Sequence, residues 1–345
     1  RMNAHVETPA MGRATRPRAH PFPMLLRREY WEHRGGFLWA PLIASGISLL
    51  LTMIFAVVAS VMARRAMADG ELQIDGVTIN GLDLGMITSR MSPVELQQLG
   101  EAFDASLLMA SSWPFIVMAF VVFFYCLGAL YDDRKDRSVL FWKSLPVSDR
   151  DTVLSKVASA ALVAPLLATA AALVTMLLFA IIVSVLVAAH GGNAFQLVWA
   201  SGGPFRMAAF VLAAIPVYAV WALPTIGWLL LCSAWAKGKP FLWAIVIPVL
   251  LGVFVWWFEV MGYFGLQAEW FWQNVVARML LSVVPAGWMD AVNLHAIDAP
   301  GDLRDVLNLR AMYSTFLSPK MWIGAAAGAL MIAIAVRLRR WREEI

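Results

Sequence analysis

Six apolar runs of roughly 20 residues divide the chain, and they limit its fold more than any other feature of the sequence. A helix that crosses the hydrocarbon core of a bilayer needs about 20 predominantly apolar residues, and its backbone polar groups are satisfied within the helix itself. The runs lie at 37–63, 107–130, 157–189, 207–236, 240–258 and 320–336. The sequence therefore predicts an all-α integral membrane protein with six transmembrane helices.

The composition of the 345 residues excludes an ordinary soluble domain. Hydrophobic residues make up 61% of the chain and charged residues 14%, and the mean hydropathy is +0.70. Soluble proteins carry about 25% charged residues. Cys126 and Cys232 both fall inside apolar runs, and no Cys/His cluster has the spacing of a metal site. We expect neither a metal nor a cofactor in this chain.

The distribution of basic residues predicts that both termini lie in the cytoplasm. With the N-terminus inside, 19 of the 27 lysine and arginine residues fall in cytoplasmic segments and eight in external ones. Basic residues favour the cytoplasmic side of a membrane protein, so the opposite orientation is disfavoured. The net charge of +4 is then explained by topology and lipid headgroups, and we expect no nucleic-acid partner.

The chain divides into a tail, an interfacial helix and one membrane domain. Residues 1–20 have the composition of a disordered N-terminal tail. Residues 21–36 alternate apolar and charged side chains, as an amphipathic helix on the inner leaflet does. Residues 37–345 form a single transmembrane domain with external segments at 64–106 and 259–319.

The second external segment, 259–319, is half apolar and rich in tryptophan, and it is broken at Pro285-Ala286-Gly287. It is too short between its breaks for a regular span. We expect a re-entrant or interfacial helical hairpin before the sixth span, since irregular backbone at membrane depth is tolerated where protein covers it. An ordinary amphipathic surface helix fits the pattern equally well.

Several kinds of chemistry have no motif in this sequence. It contains no GxxxxGK[ST] loop for a nucleotide phosphate and no HExxH or GxSxG arrangement. The interiors of the six runs carry no Asp, Glu, Lys, Arg or His, whereas transporters coupled to an ion gradient usually keep such a group at depth. If the chain transports, we expect its energy to come from a separate protein.

Residues 131–156, in the predicted cytoplasmic loop between spans two and three, combine dense charge with an apolar centre. The stretch "SVLFWKSLP", which itself contains Lys143, is surrounded by five further basic residues and five acidic residues. A solvated loop is the usual explanation for a run of charges. However, a loop that binds anionic headgroups is basic throughout, whereas apolar and aromatic side chains within a polar rim are typical of a protein–protein contact. The pattern favours a docking segment for a partner protein.

This loop resembles a known family. Tyr131-Asp132-Asp133-Arg134, followed by "RSVLFWKSLPVSDRDTVLSK" and a long apolar run, is similar to the permease subunits of type-2 ABC exporters, which have the type V ABC transporter fold. The six-span layout, the interfacial helix and the hairpin before the sixth span also resemble that family. The chain has Asp133 where the family often has Glu before the arginine.

The resemblance implies that residues 131–156 carry a cytoplasmic coupling helix that docks on a separate ATP-binding subunit. It also implies a multi-pass protein of the bacterial inner membrane, a second permease copy or a homologous permease as partner, and ATP and Mg²⁺ bound by the partner subunit. The expected docking residues are Val139, Leu140, Phe141, Trp142 and Leu145, with Asp133, Arg134, Asp136 and Arg137 as flanking polar contacts.

Two other classes of function remain open at this stage. One is a gradient-driven secondary transporter, which the apolar interiors of the runs disfavour. The other is a membrane-embedded enzyme that acts on lipid, for which Glu259, Glu269, Asp290 and His295 are the available polar residues. The leading hypothesis is a non-catalytic permease for a hydrophobic or amphiphilic cargo.

Overall fold

The computed structural model describes residues 21–68, 73–74, 77–78, 84–136, 147–200, 202–262, 265, 267–291 and 308–341. Two predicted features lie outside these residues. They are the N-terminal tail, 1–20, and the centre of the coupling loop, 137–146.

Almost all of the described residues are helical. The helices are α1 (Pro21–Glu32), α2 (Ala40–Ala68), α3 (Leu84–Arg90), α4 (Pro93–Gly128), α5 (Tyr131–Lys135), α6 (Asp149–Ala158), α7 (Ala164–Ala189), α8 (Gly203–Trp221), α9 (Leu223–Trp235), α10 (Pro240–Val260), α11 (Ala268–Phe271), α12 (Ala277–Leu281), α13 (Leu309–Ser314) and α14 (Pro319–Trp341). Short π-helical stretches join several of them, at Gly35–Trp39, Ser159–Val163, Phe195–Trp199 and Trp272–Val276. Two 3-10 turns lie at Gly287–Ala291 and Thr315–Leu317. A short antiparallel pair joins β1 (Gln73–Ile74) and β2 (Val77–Thr78), with Gln73 opposite Thr78.

Six helical runs are long and apolar enough to cross a membrane, which confirms the coarse prediction of a helical membrane protein. They are Gly35–Met62, Pro93–Lys135, Asp149–Ala189, Phe195–Trp221, Pro240–Val260 and Pro319–Trp341. Each predicted apolar run overlaps one of them.

The fourth predicted run, 207–236, is divided into α8 and α9 at Ala222. Pro224 lies in the first turn of α9 and has no N–H to donate to the carbonyl of Val220, so the helical hydrogen-bond ladder is interrupted there. The carbonyls on either side are used normally, because Tyr218 accepts from the N–H of Ala222 at 2.9 Å and Ala222 accepts from that of Ile226 at 3.0 Å. The result is a kinked helical run.

The second span begins earlier than predicted, because α4 includes residues 93–106, which were predicted to belong to an external segment. The hydroxyl of Ser92 accepts a hydrogen bond from the N–H of Glu95 at 3.3 Å, and the Glu95 carboxylate accepts one from the N–H of Ser92 at 2.6 Å. With Pro93 in the first turn, this capping box starts a helix of 36 residues. At 1.5 Å per residue its length is about 54 Å, well beyond a hydrocarbon core of about 30 Å.

Helices α9 and α14 pack so closely that their backbones touch. A Cβ added to Gly227 would lie 2.5 Å from the carbonyl oxygen of Gly328, and a Cβ added to Gly328 would meet the carbonyl of Leu223. Small residues at such crossings allow close approach, which is a main source of helix association in a membrane. The contact fixes the last span against the kinked fourth run.

We expect Gly227→Ala to destabilise the protein, because the added methyl group meets backbone atoms that cannot move aside as a side chain does. Overpacking of this kind costs about 1–3 kcal/mol. Thermal unfolding in detergent, followed by loss of the monodisperse peak, measures the effect. Gly46→Ala is the matched control, since nothing lies within 4 Å of its added Cβ. Equal midpoints for the two variants would contradict the close packing.

The described part of segment 259–319 packs among the long helices. Trp272 lies against α10, where a Cβ added to Gly252 would be 2.7 Å from the indole ring. On α9, the Thr225 hydroxyl donates to the carbonyl of Arg278 at 3.0 Å and accepts from the N–H of Ser282 at 2.9 Å. The helical run from α11 to α12 is therefore bonded into the bundle at its C-terminal end, which an ordinary surface helix is not.

Candidate functional site

The predicted docking residues fall into two groups. Six of them lie outside the described residues, namely Arg137, Val139, Leu140, Phe141, Trp142 and Leu145. Asp133, Arg134 and Asp136 are described, and they belong to α5 and the turn that follows it. The segment 137–146 is therefore bounded by α5 on one side and α6 on the other, and the surroundings of these two helices define the base of the candidate site.

A buried charge cluster lies at this base, formed by Glu29, Asp133, Asp149, Lys156 and Arg339. The Lys156 ammonium is 3.1 Å from a Glu29 carboxylate oxygen and 3.5 Å from Oδ2 of Asp133. That same Asp133 oxygen is 3.1 Å from Nη1 of Arg339, whose Nε is 3.3 Å from Asp149. Charges of alternating sign thus form one chain of contacts through α1, α5, α6 and α14.

The charge cluster is closed off from the surroundings except at Asp149, whose side chain is 22% exposed. Lys156 is 2% exposed and Glu29 is 1% exposed, which only paired charges normally tolerate. The second carboxylate oxygen of Glu29 accepts a hydrogen bond from the Tyr125 hydroxyl at 2.7 Å. The Tyr125 ring packs edge-to-face against Phe37 at 4.9 Å between centroids. The cluster is therefore joined to the apolar core through α4.

Arg134 makes a second internal contact at the end of α9. Its Nη2 atom donates to the carbonyl oxygens of Ser233 at 2.6 Å and of Ala236 at 2.9 Å. The last carbonyls of a helix have no partner within it, and a cation there also interacts favourably with the helix dipole. The Ser233 hydroxyl accepts from the N–H groups of Leu130 and Tyr131, at 3.0 and 2.9 Å. These bonds attach the start of α5 to the end of the fourth run.

Asp133 and Arg134, which were predicted as flanking polar contacts for a partner, are largely used in contacts within this chain. They are 8% and 5% exposed, because their charges are directed to other parts of the same chain. Asp136 is exposed. For Asp133 and Arg134 the geometry fits the positioning of the neighbouring segment better than direct contact with a partner. The docking role of the other residues stays a prediction.

The start of α6 is fixed by its own cap. The Ser148 hydroxyl accepts from the N–H of Asp151 at 3.0 Å and donates to the Asp151 carboxylate at 2.8 Å. Such a cap satisfies N–H groups that have no partner within the helix. The start of α6, which follows segment 137–146 in the chain, is consequently held in place by the Ser148 cap and by the Asp149–Arg339 ion pair.

Segments that were predicted to be cytoplasmic meet at this end of the molecule. The hydrogen bond from Arg134 to Ala236 places the turn that contains Lys237 and Lys239 at this end. The ion pair between Arg339 and Asp133 places the C-terminal end of α14 there as well. Segments predicted to be external meet elsewhere. Asp104 forms an ion pair with Arg206, and the N–H of Leu84 donates to the carbonyl of His190 at 2.8 Å.

Sequence reasoning missed Glu29, Lys156 and Arg339 as partners, although a signal was present. Glu29 lies four residues after the buried Leu25, and Arg339 lies four residues after the buried Ala335. Residues four apart share a helix face. A charge in register with buried apolar residues therefore indicates a buried ion pair, but it does not identify the partner.

The residues considered for lipid chemistry do not form a cluster in the part of the chain that the structure describes. Glu259 accepts a hydrogen bond from the N–H of Ala268 at 3.1 Å, as a cap for α11. Glu269 accepts from the Gln273 side chain at 3.1 Å on an exposed face. His295 and the side chain of Asp290 lie outside the description. Among the described residues, no group of His, Cys, Asp and Glu is arranged to hold a metal ion.

Comparisons with models of protein families, with curated proteins and with solved structures found no match to this chain. The similarity of residues 131–156 to type-2 ABC exporter permeases therefore depends on those residues and on the six-span layout. The chemistry of the site has to be argued from its own geometry.

Proposed function

We propose that this chain is the permease subunit of an ATP-driven ABC exporter and that a separate ATP-binding subunit supplies its energy. Both termini lie in the cytoplasm, and the loop at residues 131–156 carries the coupling helix that fits the ATP-binding subunit. The chain itself has no catalytic role. Its cargo is a hydrophobic or amphiphilic molecule.

One observation carries the proposal: the described residues on both sides of segment 137–146 form ion pairs with other parts of the bundle. Asp133 follows the second span, and Asp149 and Lys156 lead into the third. Their partners are Glu29 before the first span and Arg339 in the sixth. A force applied to the segment therefore acts on four spans together.

A buried charge cluster is suited to transmit a force from the coupling loop to the spans. Buried ion pairs contribute little net stability, because desolvation offsets their attraction, but they can specify one arrangement of the groups around them. A polar network with its members satisfied is rigid for the same reason. Closure of two nucleotide-binding subunits is then converted into rigid-body movement of the anchored helices.

The predicted cytoplasmic segments lie together beside the charge cluster, which supports the proposed orientation with both termini in the cytoplasm. Basic residues of the predicted cytoplasmic segments, including Lys237, Lys239 and Arg339, lie at the same end of the bundle. Helix α1 packs beside α6 at this end, with Leu25 buried and Met24 69% exposed. Such a helix fits the inner leaflet, with its cationic residues at the headgroups.

The low burial of the first and fifth spans supports a second permease copy or a homologous permease as partner. In each of these spans, 17% of the most apolar stretch is buried within the chain, compared with 28% to 50% in the other four. Two permeases that meet through these spans enclose a conduit with apolar walls. In the proposed topology, the run from α11 to α12 re-enters the bundle from the external side.

The proposal predicts that Trp142→Ala weakens docking of the ATP-binding subunit by about 30-fold or more, because a central interface tryptophan typically contributes at least about 2 kcal/mol. A photo-crosslinking amino acid at position 142, used in the native membrane, should capture a protein that carries a GxxxxGK[ST] loop. The ATPase rate of that protein is then measured with wild-type chain and with Trp142→Ala, which should no longer stimulate it.

Trp113→Ala is the matched control, because this tryptophan is 45% exposed on α4, 15 residues before the end of that helix and outside the first and fifth spans. It should leave the stimulated ATPase rate unchanged. The proposal fails if the crosslinker at position 142 captures no nucleotide-binding protein. It also fails if export continues without ATP and stops when the ion gradients are collapsed, which is the behaviour of a secondary transporter.

A further inference from the structure

A groove of about 520 Å³ lies between the junction of α1 with α2 and the second half of α4. The junction contributes His33, Gly35 and Phe37, and α4 contributes Phe120 and Phe124. The volume is within the range of small-molecule sites, about 300–1,000 Å³. The groove lies at the surface of the bundle, since Phe120 and Phe124 are 64% and 56% exposed. A ligand from the surroundings can therefore enter it.

The groove lies where the apolar spans meet the polar end of the bundle. The first span begins at Gly35, and the apolar run of the second ends at Leu130. Phe120 lies eight residues before Gly128 on α4, which places it about 12 Å further into the span. One end of the groove is therefore at the depth of lipid headgroups and the other at the depth of acyl chains.

Three side chains at the polar end of the groove can accept hydrogen bonds, namely Glu32, His33 and Asp132. Both carboxylates are on exposed residues, so a ligand can reach them. Nδ1 of His33 lies 3.2 Å from the carbonyl oxygen of Glu29, which can only accept, so Nε2 of the neutral ring is an acceptor. No lysine or arginine is among the described residues that line the groove. This end of the groove is therefore complementary to a cation that donates hydrogen bonds.

Contacts within the chain leave both carboxylates able to accept from a ligand. Glu32 forms an ion pair with Arg28 at 3.2 Å, and its side chain is still 50% exposed. A carboxylate has about four acceptor positions, so one such pair does not use them all. Asp132 forms no ion pair within 4 Å among the described residues. Negative charge at this end of the groove is therefore available to a bound cation.

We propose that this groove binds a phospholipid with a primary ammonium headgroup, such as phosphatidylethanolamine, from the surrounding leaflet. The ammonium donates hydrogen bonds to the acceptors at the polar end, and an acyl chain lies against Phe120 and Phe124. Arg34 is exposed between His33 and Gly35 of the groove, and it provides a cation for the lipid phosphate. A quaternary ammonium, as in a choline headgroup, has no N–H to donate and fits the polar end less well.

The inference is independent of the proposed permease function, since it needs neither the coupling helix nor ATP. Only the leaflet rests on the proposed orientation, in which the groove faces the cytoplasmic side of the membrane. Lipid binding is measured on this chain without an ATP-binding subunit. A failure of the lipid site and a failure of the permease proposal are therefore distinguishable.

The test is native mass spectrometry of the purified full-length protein in detergent, with three lipids that have the same acyl chains. Phosphatidylethanolamine, phosphatidylcholine and phosphatidylglycerol share the phosphate, but their headgroups carry a primary ammonium, a quaternary ammonium and no cation. One phosphatidylethanolamine per chain should bind about 10-fold more tightly than phosphatidylcholine, the effect expected for hydrogen bonds to charged groups. Phosphatidylglycerol, which brings no cation to the carboxylates, should bind no better than phosphatidylcholine.

Substitutions separate recognition of the ammonium from recognition of the phosphate. Asp132→Asn and Glu32→Gln should each reduce the preference for phosphatidylethanolamine, because a neutral amide attracts the ammonium less strongly. Arg34→Gln should weaken all three lipids by a similar factor and keep the preference, because the phosphate is common to them. Asp136→Asn is the matched control, since this exposed carboxylate lies four residues after Asp132 and is not part of the groove. Its preference should equal that of the wild type.

A diazirine in the acyl chain of phosphatidylethanolamine locates the site. After photolysis, mass spectrometry should place the label on peptides that contain residues 35–37 and 120–125. Equal binding of phosphatidylethanolamine and phosphatidylcholine would overturn the proposal, and so would label spread evenly over all lipid-facing peptides. An unchanged preference in the double variant Glu32→Gln/Asp132→Asn would overturn it as well. Competition by glycerophosphoethanolamine, the headgroup without acyl chains, would show a site for a soluble amine instead of a lipid.

Discussion

Lys156→Met is expected to lower the free energy of unfolding by about 3–5 kcal/mol, which is the usual cost of removing one partner from a buried ion pair. The ammonium of Lys156 lies between Glu29 and Asp133, at 3.1 and 3.5 Å. Asp133 keeps Arg339 as a partner after the substitution. Glu29 is left with the Tyr125 hydroxyl at 2.7 Å and the His33 imidazole at 3.9 Å, so most of the cost falls on this carboxylate.

A double-mutant cycle tests whether the stability lost in Lys156→Met comes from the unpaired Glu29 carboxylate. Glu29→Gln removes the negative charge but keeps an acceptor for Tyr125, so the double variant Glu29→Gln/Lys156→Met should be more stable than Lys156→Met alone. Pairs in direct contact typically show coupling of about 0.5–3 kcal/mol. Chemical or thermal unfolding in detergent gives the four midpoints.

Glu32→Gln is the matched control for this cycle. Its ion pair with Arg28 has a similar length, 3.2 Å, but the Glu32 side chain is 50% exposed. Exposed pairs of this spacing contribute only about 0.3–0.5 kcal/mol, so the unfolding midpoint should barely move. If Lys156→Met were as mild as Glu32→Gln, the charge cluster would not hold the coupling segment as described.

The general plan of this protein could be predicted from its sequence because lipid imposes a simple rule. A span needs an unbroken apolar stretch. The sequence has six such stretches, from 37–63 to 320–336, and the structure has six corresponding helical runs. The residues at which the helices begin and end were less predictable. The start of α4 depends on a capping box between Ser92 and Glu95 outside the apolar run.

The charge cluster could not be predicted because its members come from distant parts of the chain. Counting basic residues assigned Lys156 to a loop that keeps positive charge inside, although its ammonium faces Glu29 on a helix more than a hundred residues earlier. Helical register indicates that Glu29 and Arg339 share faces with buried residues. Which charges form ion pairs depends on the packing of α1, α6 and α14, and no local sequence pattern predicts that packing.

Arg134 illustrates how the structure changes the functional prediction at the same site. As a flanking contact for a partner, which the sequence predicts, Arg134 would affect docking in the same way as Trp142. In the structure its guanidinium bridges the carbonyls of Ser233 and Ala236. A reversal there acts on the fold of the chain itself, and the two substitutions have different effects.

Arg134→Glu is expected to lower the free energy of unfolding by about 3–5 kcal/mol, since it places a carboxylate against two carbonyl oxygens in a buried site. The measurement is the yield of monodisperse protein and its unfolding midpoint in detergent. Arg134→Lys keeps the charge but loses the Nη2 group that donates to both carbonyls and the Nε that donates to Leu130, so it should be intermediate. Trp142→Ala should unfold like wild type.

Comparison of Arg134→Lys with Trp142→Ala then separates positioning from docking. If Arg134 positions the segment, Arg134→Lys should reduce stimulated ATP hydrolysis and export while the crosslink at position 142 still forms, because the docking surface is intact but poorly held. Trp142→Ala should lose partner binding with no change in stability. An Arg134→Glu protein as stable as wild type would show that the guanidinium is not held by the end of α9, and Arg134 would return to the surface role expected from its sequence.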